Sequence, residues 1–152
     1  MTVGHLSPRP AGQTSLALWT SLFLAWVIAL LATAGALFLG EVMGVNPCLL
    51  CWYQRIAMFP LVVILGLGLL DDDARSIRYA SPLAWGGWGI ALYHCLIFWG
   101  LASEGLTPCS QGASCADTNL QAVGLVPIPL LSLLAFTALL ALLRFSKRKV
   151  RA

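Results

Sequence analysis

The sequence has few charged residues for its length. Only 10% of its 152 residues are Asp, Glu, Lys or Arg, whereas 59% are hydrophobic. A water-soluble domain carries about 25% charged residues, so this chain lacks the polar surface that a soluble fold of its size needs. It also lacks a long basic segment with interspersed aromatic residues, which argues against nucleic acid as a partner. The composition therefore predicts an integral membrane protein.

Four segments are long and apolar enough to cross a bilayer. A helix needs roughly 20 mostly apolar residues to span ~30 Å of hydrocarbon, and unpaired backbone groups are not tolerated in lipid. The predicted helices are residues 15–39, 48–70, 82–102 and 126–145. No linker or domain boundary is evident. We therefore predict an all-α membrane protein with a single domain, residues 1–152, built as a four-transmembrane-helix bundle.

The basic residues are distributed unevenly around these segments. Apart from Arg55, every Lys and Arg lies before the first helix, between the second and third helices, or at or beyond the end of the fourth. Lys and Arg accumulate on the cytoplasmic side of membrane proteins, so both termini are predicted to be cytoplasmic and loops 40–47 and 103–125 to face outward. Residues 32–34, Ala-Thr-Ala, resemble a signal-peptide cleavage site. The apolar stretch before them is longer than a signal peptide usually has, which favours an uncleaved first helix.

The first of two close cysteine pairs, Cys48 and Cys51, forms a Cys-x-x-Cys motif. Asn46 is a good N-cap and Pro47 a good first helical residue, so both cysteines are predicted on one face at the start of helix two. The positive end of the helix dipole favours thiolate there, which suits reversible disulfide exchange. The same motif also binds zinc and other soft metals.

Arg55 is predicted to share the helix face of the two cysteines, because positions 48, 51 and 55 are spaced i, i+3 and i+7. A charge within a membrane segment is costly and suggests a function. At ~1.5 Å per residue, Arg55 lies roughly 6 Å from Cys51 toward the apolar core. It could there hydrogen-bond a lipid-soluble ligand with a polar end, such as a quinone carbonyl. The alternative is an arginine that extends to the lipid headgroups.

The second pair, Cys109 and Cys115, lies in the long polar loop that precedes helix four. Five intervening residues allow a disulfide, although sequence alone does not fix the pairing. Both pairs fall on the predicted outer side, where disulfides persist. Two matched pairs favour a relay over two disulfides that each clip a loop, because a Cys-x-x-Cys ring constrains little chain entropy.

His94 and Cys95 lie within the third predicted helix. A lone buried cysteine is usually a small hydrophobic residue, and we interpret Cys95 in that way. An imidazole is costly in lipid unless it faces a partner, a cavity or a cofactor. Two interpretations of His94 remain open: contact with a cofactor bound near Arg55, or a hydrogen bond to another helix.

The sequence resembles the disulfide bond formation protein B (DsbB) family of membrane thiol oxidases. The resemblance covers nearly the whole chain and rests on residues 47–55 (P-C-L-L-C-W-Y-Q-R), Tyr93-His94, the loop cysteine pair and residues 126–129 (V-P-I-P). The loop cysteines of the best-known proteobacterial members are far apart. The short spacing here is similar to the Gram-positive type of this family, often called BdbC.

The resemblance implies a quinone-dependent thiol oxidase, a dithiol:quinone oxidoreductase of the bacterial cytoplasmic (inner) membrane. Its cofactor would be ubiquinone or menaquinone. Its partner would be an extracytoplasmic thioredoxin-fold thiol oxidase of the DsbA kind, and its active cysteines would lie on the extracytoplasmic face.

Each cysteine takes a role by resemblance to the family. Cys109 would form the mixed disulfide with the partner, and Cys115 would resolve it and pass electrons to Cys48. Cys51 would face the quinone, and Arg55 would polarise the quinone carbonyl. By the same resemblance, the cofactor interpretation of His94 would make it a second quinone contact.

Other classes fit parts of the sequence. A vitamin K epoxide reductase-like protein also has four membrane helices and a Cys-x-x-Cys motif, but there the motif is expected late in the bundle. A structural membrane subunit would carry two incidental disulfides. The main alternative is a membrane metal-binding or transport protein with thiolate ligands, although the helices lack Asp, Glu or Met at ligand spacing.

Overall fold

The computed structural model describes residues 13–44, 46–71, 73–102, 121–122 and 126–151. Four helices account for most of this part of the chain: α1 (Gln13–Leu37), α2 (Leu49–Leu70), α3 (Ser76–Phe98) and α4 (Ile128–Arg151). A single π-helical turn, Phe38–Val42, directly follows α1, and two short antiparallel strands, β1 (Gln121–Ala122) and β2 (Val126–Pro127), precede α4. The predicted all-α class with four helices is confirmed.

Two helices extend beyond the segments predicted from hydrophobicity. α3 already begins at Ser76, whose hydroxyl donates to the backbone carbonyl of Asp73 at 2.9 Å. α4 continues through the basic tail to Arg151. Hydrophobicity marks only the part of a helix that lies in lipid, whereas the backbone ladder continues into the polar region. At its other end, α4 begins two residues late because Val126 and Pro127 pair with β1.

The start of α2 also differs from the prediction. Asn46 is not the N-cap; Cys48 is, with an extended backbone and no capping hydrogen bond from its side chain. Cys48 is only 1% exposed, so its tertiary burial overrides the local capping preference of Asn46. The Cys-x-x-Cys motif therefore places one cysteine at the cap and the other in the first turn.

Neighbouring helices run antiparallel in a closed ring. Arg55, near the start of α2, donates to the carbonyl of Ala36 near the end of α1. Ser21, near the start of α1, hydrogen-bonds Ser146 near the end of α4 at 2.7 Å. Each helix packs on the next, and α1 closes the ring against α4. The ends of α1 and α3 therefore lie beside the starts of α2 and α4 at one end of the bundle. The Cys-x-x-Cys motif lies at this end.

Small residues bring the helix backbones close together. The buried alanines are Ala25, Ala29, Ala57, Ala80, Ala84 and Ala91. Gly87 of α3 faces the fully buried ring of Phe136 of α4, at a distance that leaves no room for a Cβ. Membrane helices associate through such interfaces, because lipid supplies no hydrophobic driving force between them.

Three of the helical segments among the described residues are long and apolar enough to cross a membrane, namely Leu16–Val42, Leu49–Leu70 and Ile128–Val150. Large hydrophobic side chains also cover the outside of the bundle, as a lipid-facing surface requires. The protein is thus a multi-pass membrane protein. α3 is less apolar because it contains Gly, Tyr, Trp and His, so its crossing stays a prediction, as do the single domain and the cytoplasmic termini.

We expect Gly87→Ala to destabilise the bundle, because the added Cβ would collide with the ring of Phe136, which is fully buried. Overpacking of this kind costs about 1–3 kcal/mol. Gly86→Ala is the matched control, since nothing lies within 4 Å of its Cβ position. Thermal unfolding in detergent measures both variants, and equal midpoints would contradict the close packing of α3 on α4.

Candidate active site

The site lies where the start of α2 meets the end of α3. Cys48 Sγ donates to Cys51 Sγ at 3.2 Å and lies 3.7 Å from His94 Nε2. No disulfide joins the three cysteines of the described residues, Cys48, Cys51 and Cys95. A disulfide needs the two sulfur atoms at ~2.05 Å, so the Cys48 and Cys51 sulfur atoms are adjacent but outside bonding distance.

His94 joins α3 to α2. It is completely buried, with Nε2 toward Cys48 and Nδ1 3.2 Å from Gln54 Nε2. This is the hydrogen bond between helices that one of the two sequence interpretations describes. The ring lies behind the cysteine pair and does not line the cavity described below, so the cofactor interpretation stays a prediction.

Gln54 is the site residue that sequence reasoning missed. It is 7% exposed and contacts the His94 ring from the first turns of α2. A neutral amide inside an apolar helix needs a hydrogen-bond partner. This requirement is the feature of the sequence that indicates Gln54 as a site residue. Gln54 lies between Cys51 and Arg55 in the sequence, but its hydrogen-bond partner, His94, is 40 residues away on another helix.

The protonation of Cys48 also differs from the prediction. The hydrogen bond to Cys51, together with burial, raises the pKa of Cys48 to about 12, and the nearby His94 only partly opposes this rise. The helix dipole favours a thiolate at this position, but the Cys48 thiol donates a hydrogen bond that its own ionisation would break. The hydrogen bond and the burial therefore keep Cys48 in its protonated thiol form.

Arg55 lies against the end of α1. Its guanidinium donates to the carbonyl of Ala36 at 2.6 Å and lies 5.3 Å from the centre of the Trp52 ring. A Cβ at Gly40, in the π-helical turn, would lie 2.9 Å from Nη2 of Arg55. Glycine at this position therefore lets the half-buried arginine extend along α1.

An apolar cavity of about 400 Å³ opens beside the cysteine pair, between α1, α2 and α4. Its volume is within the range of small-molecule sites, roughly 300–1,000 Å³. Its wall is mainly aliphatic and aromatic, and the polar side chains that line it are Thr33, Cys51, Gln54, Arg55 and Ser132. The side chains predicted to contact a cofactor thus divide into two groups, with Cys51 and Arg55 at the cavity and His94 behind it.

Thr33 is the least satisfied polar group of this wall. Its Oγ1 is buried and has no hydrogen-bond partner within the part of the chain that the structure describes. A buried hydroxyl without a partner costs about 1–3 kcal/mol. A ligand with a polar atom at this position would remove that cost.

The other predicted site residues lie elsewhere. Cys109 and Cys115 fall outside the described residues. Cys95 is buried beside His94 but does not join the group formed by the two motif cysteines and His94, whose ligand-type atoms all lie within 4.8 Å of one another. This agrees with the interpretation of Cys95 as a small core residue.

Comparisons with known proteins agree on one family. The family model for "Disulfide bond formation protein DsbB" matches residues 18–145. A probable disulfide formation protein of Metapseudomonas resinovorans is 42% identical over 145 residues, which cover 95% of this chain and 98% of the relative. Disulfide bond formation protein C of Bacillus subtilis is 40% identical, with 76% of this chain and 83% of the relative covered.

A third relative, a probable disulfide formation protein of Deinococcus radiodurans, is 40% identical over 86% of this chain and 91% of its own length. No solved structure matches the chain. The family model covers most of the chain, and the matched segment includes the cysteine motif, Arg55 and His94. With its helical bundle and its adjacent thiols, this chain belongs to the DsbB family of membrane disulfide bond formation proteins.

Proposed function

We propose that the protein is a quinone-dependent thiol oxidase that reoxidises an extracytoplasmic thioredoxin-fold oxidant of the DsbA kind. The observation that carries the proposal is the position of Cys51, which lines an apolar cavity together with Arg55 while its partner Cys48 faces α3. Family membership supports the thiol oxidoreductase class, and the cavity supports a lipid-soluble acceptor. Ubiquinone and menaquinone both fit this description.

The cavity wall suits a quinone. Its aliphatic and aromatic surface can surround an apolar ring and tail, while the Arg55 guanidinium and the Thr33 hydroxyl offer two hydrogen-bond donors. Quinone binding would provide the two-electron acceptor that the thiols need. Arg55 would bind and orient a carbonyl oxygen, and its charge would stabilise negative charge that develops there.

The two cysteines of the pair have different surroundings. Cys48 lies at the loop end of α2, in contact with His94, while Cys51 lies one turn deeper at the cavity. Cys51 accepts the hydrogen bond from Cys48, and it is the sulfur of the pair that lines the cavity together with Arg55. His94 Nε2 is placed to exchange a proton with Cys48, and Gln54 fixes the orientation of the ring.

The electrons would pass through two dithiol–disulfide exchanges. A partner thiolate attacks Cys109 of the oxidised loop pair, and Cys115 leaves as a thiolate. The second partner thiolate then closes the partner's disulfide, and Cys109 leaves as a thiolate. The Cys115 thiolate next attacks Cys48 of the oxidised Cys48–Cys51 pair, Cys51 leaves as a thiolate, and Cys109 restores the loop disulfide by displacing Cys48 from Cys115. Each exchange breaks one disulfide, forms another and moves two electrons. Overall, two electrons and two protons pass from the partner's dithiol to the quinone.

The proposal includes an orientation in the bacterial cytoplasmic membrane. The site lies at the end of the bundle from which loops 40–47 and 103–125 emerge, and neither loop contains Lys or Arg. The opposite end has the basic tail of α4. Positive residues mark the cytoplasmic side, so the cysteines would face the extracytoplasmic space and both termini the cytoplasm.

We expect Cys51→Ser to abolish quinone reduction when a reduced thioredoxin-fold oxidant is the electron donor, because the thiol at the cavity is lost. The purified protein in detergent is assayed with ubiquinone and with menaquinone analogues. Cys95→Ser is the matched control and should keep the activity, since this buried cysteine lies outside the cluster. Turnover in Cys51→Ser equal to that of the unmodified protein would refute the proposal.

We expect Arg55→Ala to raise the KM for quinone by about 10- to 100-fold, the value of one hydrogen bond to a charged group. The KM for the partner protein should change by less than about twofold, because Arg55 faces the cavity. Arg144→Ala is a matched control, since it removes an arginine that lies 4.8 Å from the Trp85 ring, far from the site along α4. An unchanged KM for quinone would exclude Arg55 as a ligand.

We expect Cys109→Ala to block reaction with the partner protein but to leave part of the quinone reduction by a small dithiol. The small dithiol can reduce the pair at α2 directly, whereas the partner needs the loop cysteine. Single-turnover assays with each donor separate the two steps. Equal loss of both activities would contradict this division between the two pairs.

A further inference from the structure

We propose that the reduced protein binds one zinc ion through Cys48 Sγ, Cys51 Sγ and His94 Nε2, and that zinc thereby inhibits it reversibly. These three atoms belong to the end of the bundle where α2 meets α3. Zinc binding would be a second, non-redox property of the cysteine pair, and it does not depend on the identity of the electron acceptor.

The distances suit a tetrahedral zinc site. With Zn–S near 2.3 Å and Zn–N near 2.0–2.1 Å, neighbouring sulfur atoms lie about 3.8 Å apart, and sulfur and nitrogen about 3.6 Å apart. The structure has Cys48 and Cys51 Sγ at 3.2 Å and Cys48 Sγ and His94 Nε2 at 3.7 Å. All three pairs are within 4.8 Å. Shifts of roughly half to one ångström, within the reach of side-chain rotation, complete the geometry.

The donor atoms select the metal. Two thiolates and an imidazole suit zinc, whereas calcium and magnesium require oxygen ligands. Two thiolates also neutralise the double charge of the ion, which matters at a site where Cys48 and His94 are buried. Cys51 is half-buried and lines the cavity, so a water molecule can take the fourth position from that side.

Gln54 supplies the outer support that a zinc-bound histidine needs. Zinc takes the lone pair of His94 Nε2, so Nδ1 must hold the ring proton and donate it to an acceptor. The structure has the amide nitrogen of Gln54 against Nδ1. Half a turn of the amide brings its oxygen there instead, because the two ends of the group have nearly the same shape.

Binding is coupled to the redox state. Two Zn–S bonds and one Zn–N bond form, the two thiol protons pass to solvent, and no electron moves. A disulfide between Cys48 and Cys51 leaves no thiolate, so the oxidised protein cannot form this site. Zinc would hold the pair in its reduced form and keep both sulfur atoms from disulfide exchange.

The first experiment is anaerobic equilibrium dialysis against zinc, followed by metal analysis. The full-length chain is used with Cys109→Ser and Cys115→Ser, so that the loop pair cannot bind the ion. We expect about one zinc per reduced chain and none per oxidised chain. Cys51→Ser should lose the bound zinc, and Cys95→Ser should keep it. Gln54→Leu should weaken the affinity by about 10- to 100-fold.

The second experiment needs no variant of the buried His94. Cobalt replaces zinc in the reduced protein, and a four-coordinate site with thiolates shows intense visible bands and sulfur-to-cobalt charge-transfer absorption. A six-coordinate spectrum without sulfur bands would overturn the proposal. So would equal zinc contents of the reduced and oxidised proteins, or full retention of zinc in Cys51→Ser.

The third experiment links binding to activity. In the chain with all its cysteines, added zinc should inhibit thiol oxidation, and a chelator should restore it. Turnover that is unaffected by saturating zinc would exclude inhibition at this pair. Because dialysis and cobalt spectra require neither quinone nor partner, failure of the proposed thiol oxidase function would leave the zinc site testable.

Discussion

The hydrogen bond between Gln54 and His94 is the contact on which the site depends. It connects α2 and α3 inside a bundle whose core is mainly apolar. An unpaired amide or imidazole at this depth would be costly, so each group requires the other. Their pairing fixes the imidazole against Cys48, and Cys48 in turn sets the direction of the hydrogen bond to Cys51.

The site is divided by the first turn of α2. On one side are the two groups that can hold a proton, Cys48 and His94, enclosed by α3. On the other side are Cys51 and Arg55, at a cavity that α1 and α4 complete. A proton can therefore be transferred on one face of this helix turn, and an electron pair on the other. The arrangement needs no moving domain, because one turn of helix spans both environments.

Sequence patterns predicted the part of this structure that follows from local rules. Apolar segment length predicted four helices. The spacing of Cys48, Cys51 and Arg55 predicted a shared helix face, and the structure has the last two at one cavity. The same rules failed where tertiary contacts decide. The hydrogen-bond partner of Gln54 lies on α3, and so does the residue that contacts Cys48. No sequence pattern within α2 indicates these contacts. The helix ends outside lipid were also missed, since hydrophobicity is silent there.

The burial of Cys48 has a consequence for selectivity. This sulfur is 1% exposed, so a thiol dissolved in the surrounding water has no direct line of attack on it. Cys51 lines the apolar cavity, whose wall disfavours charged thiol reductants. Charged thiols of the ambient redox buffer are therefore disfavoured at both sulfur atoms, whereas a small uncharged dithiol can enter through the cavity.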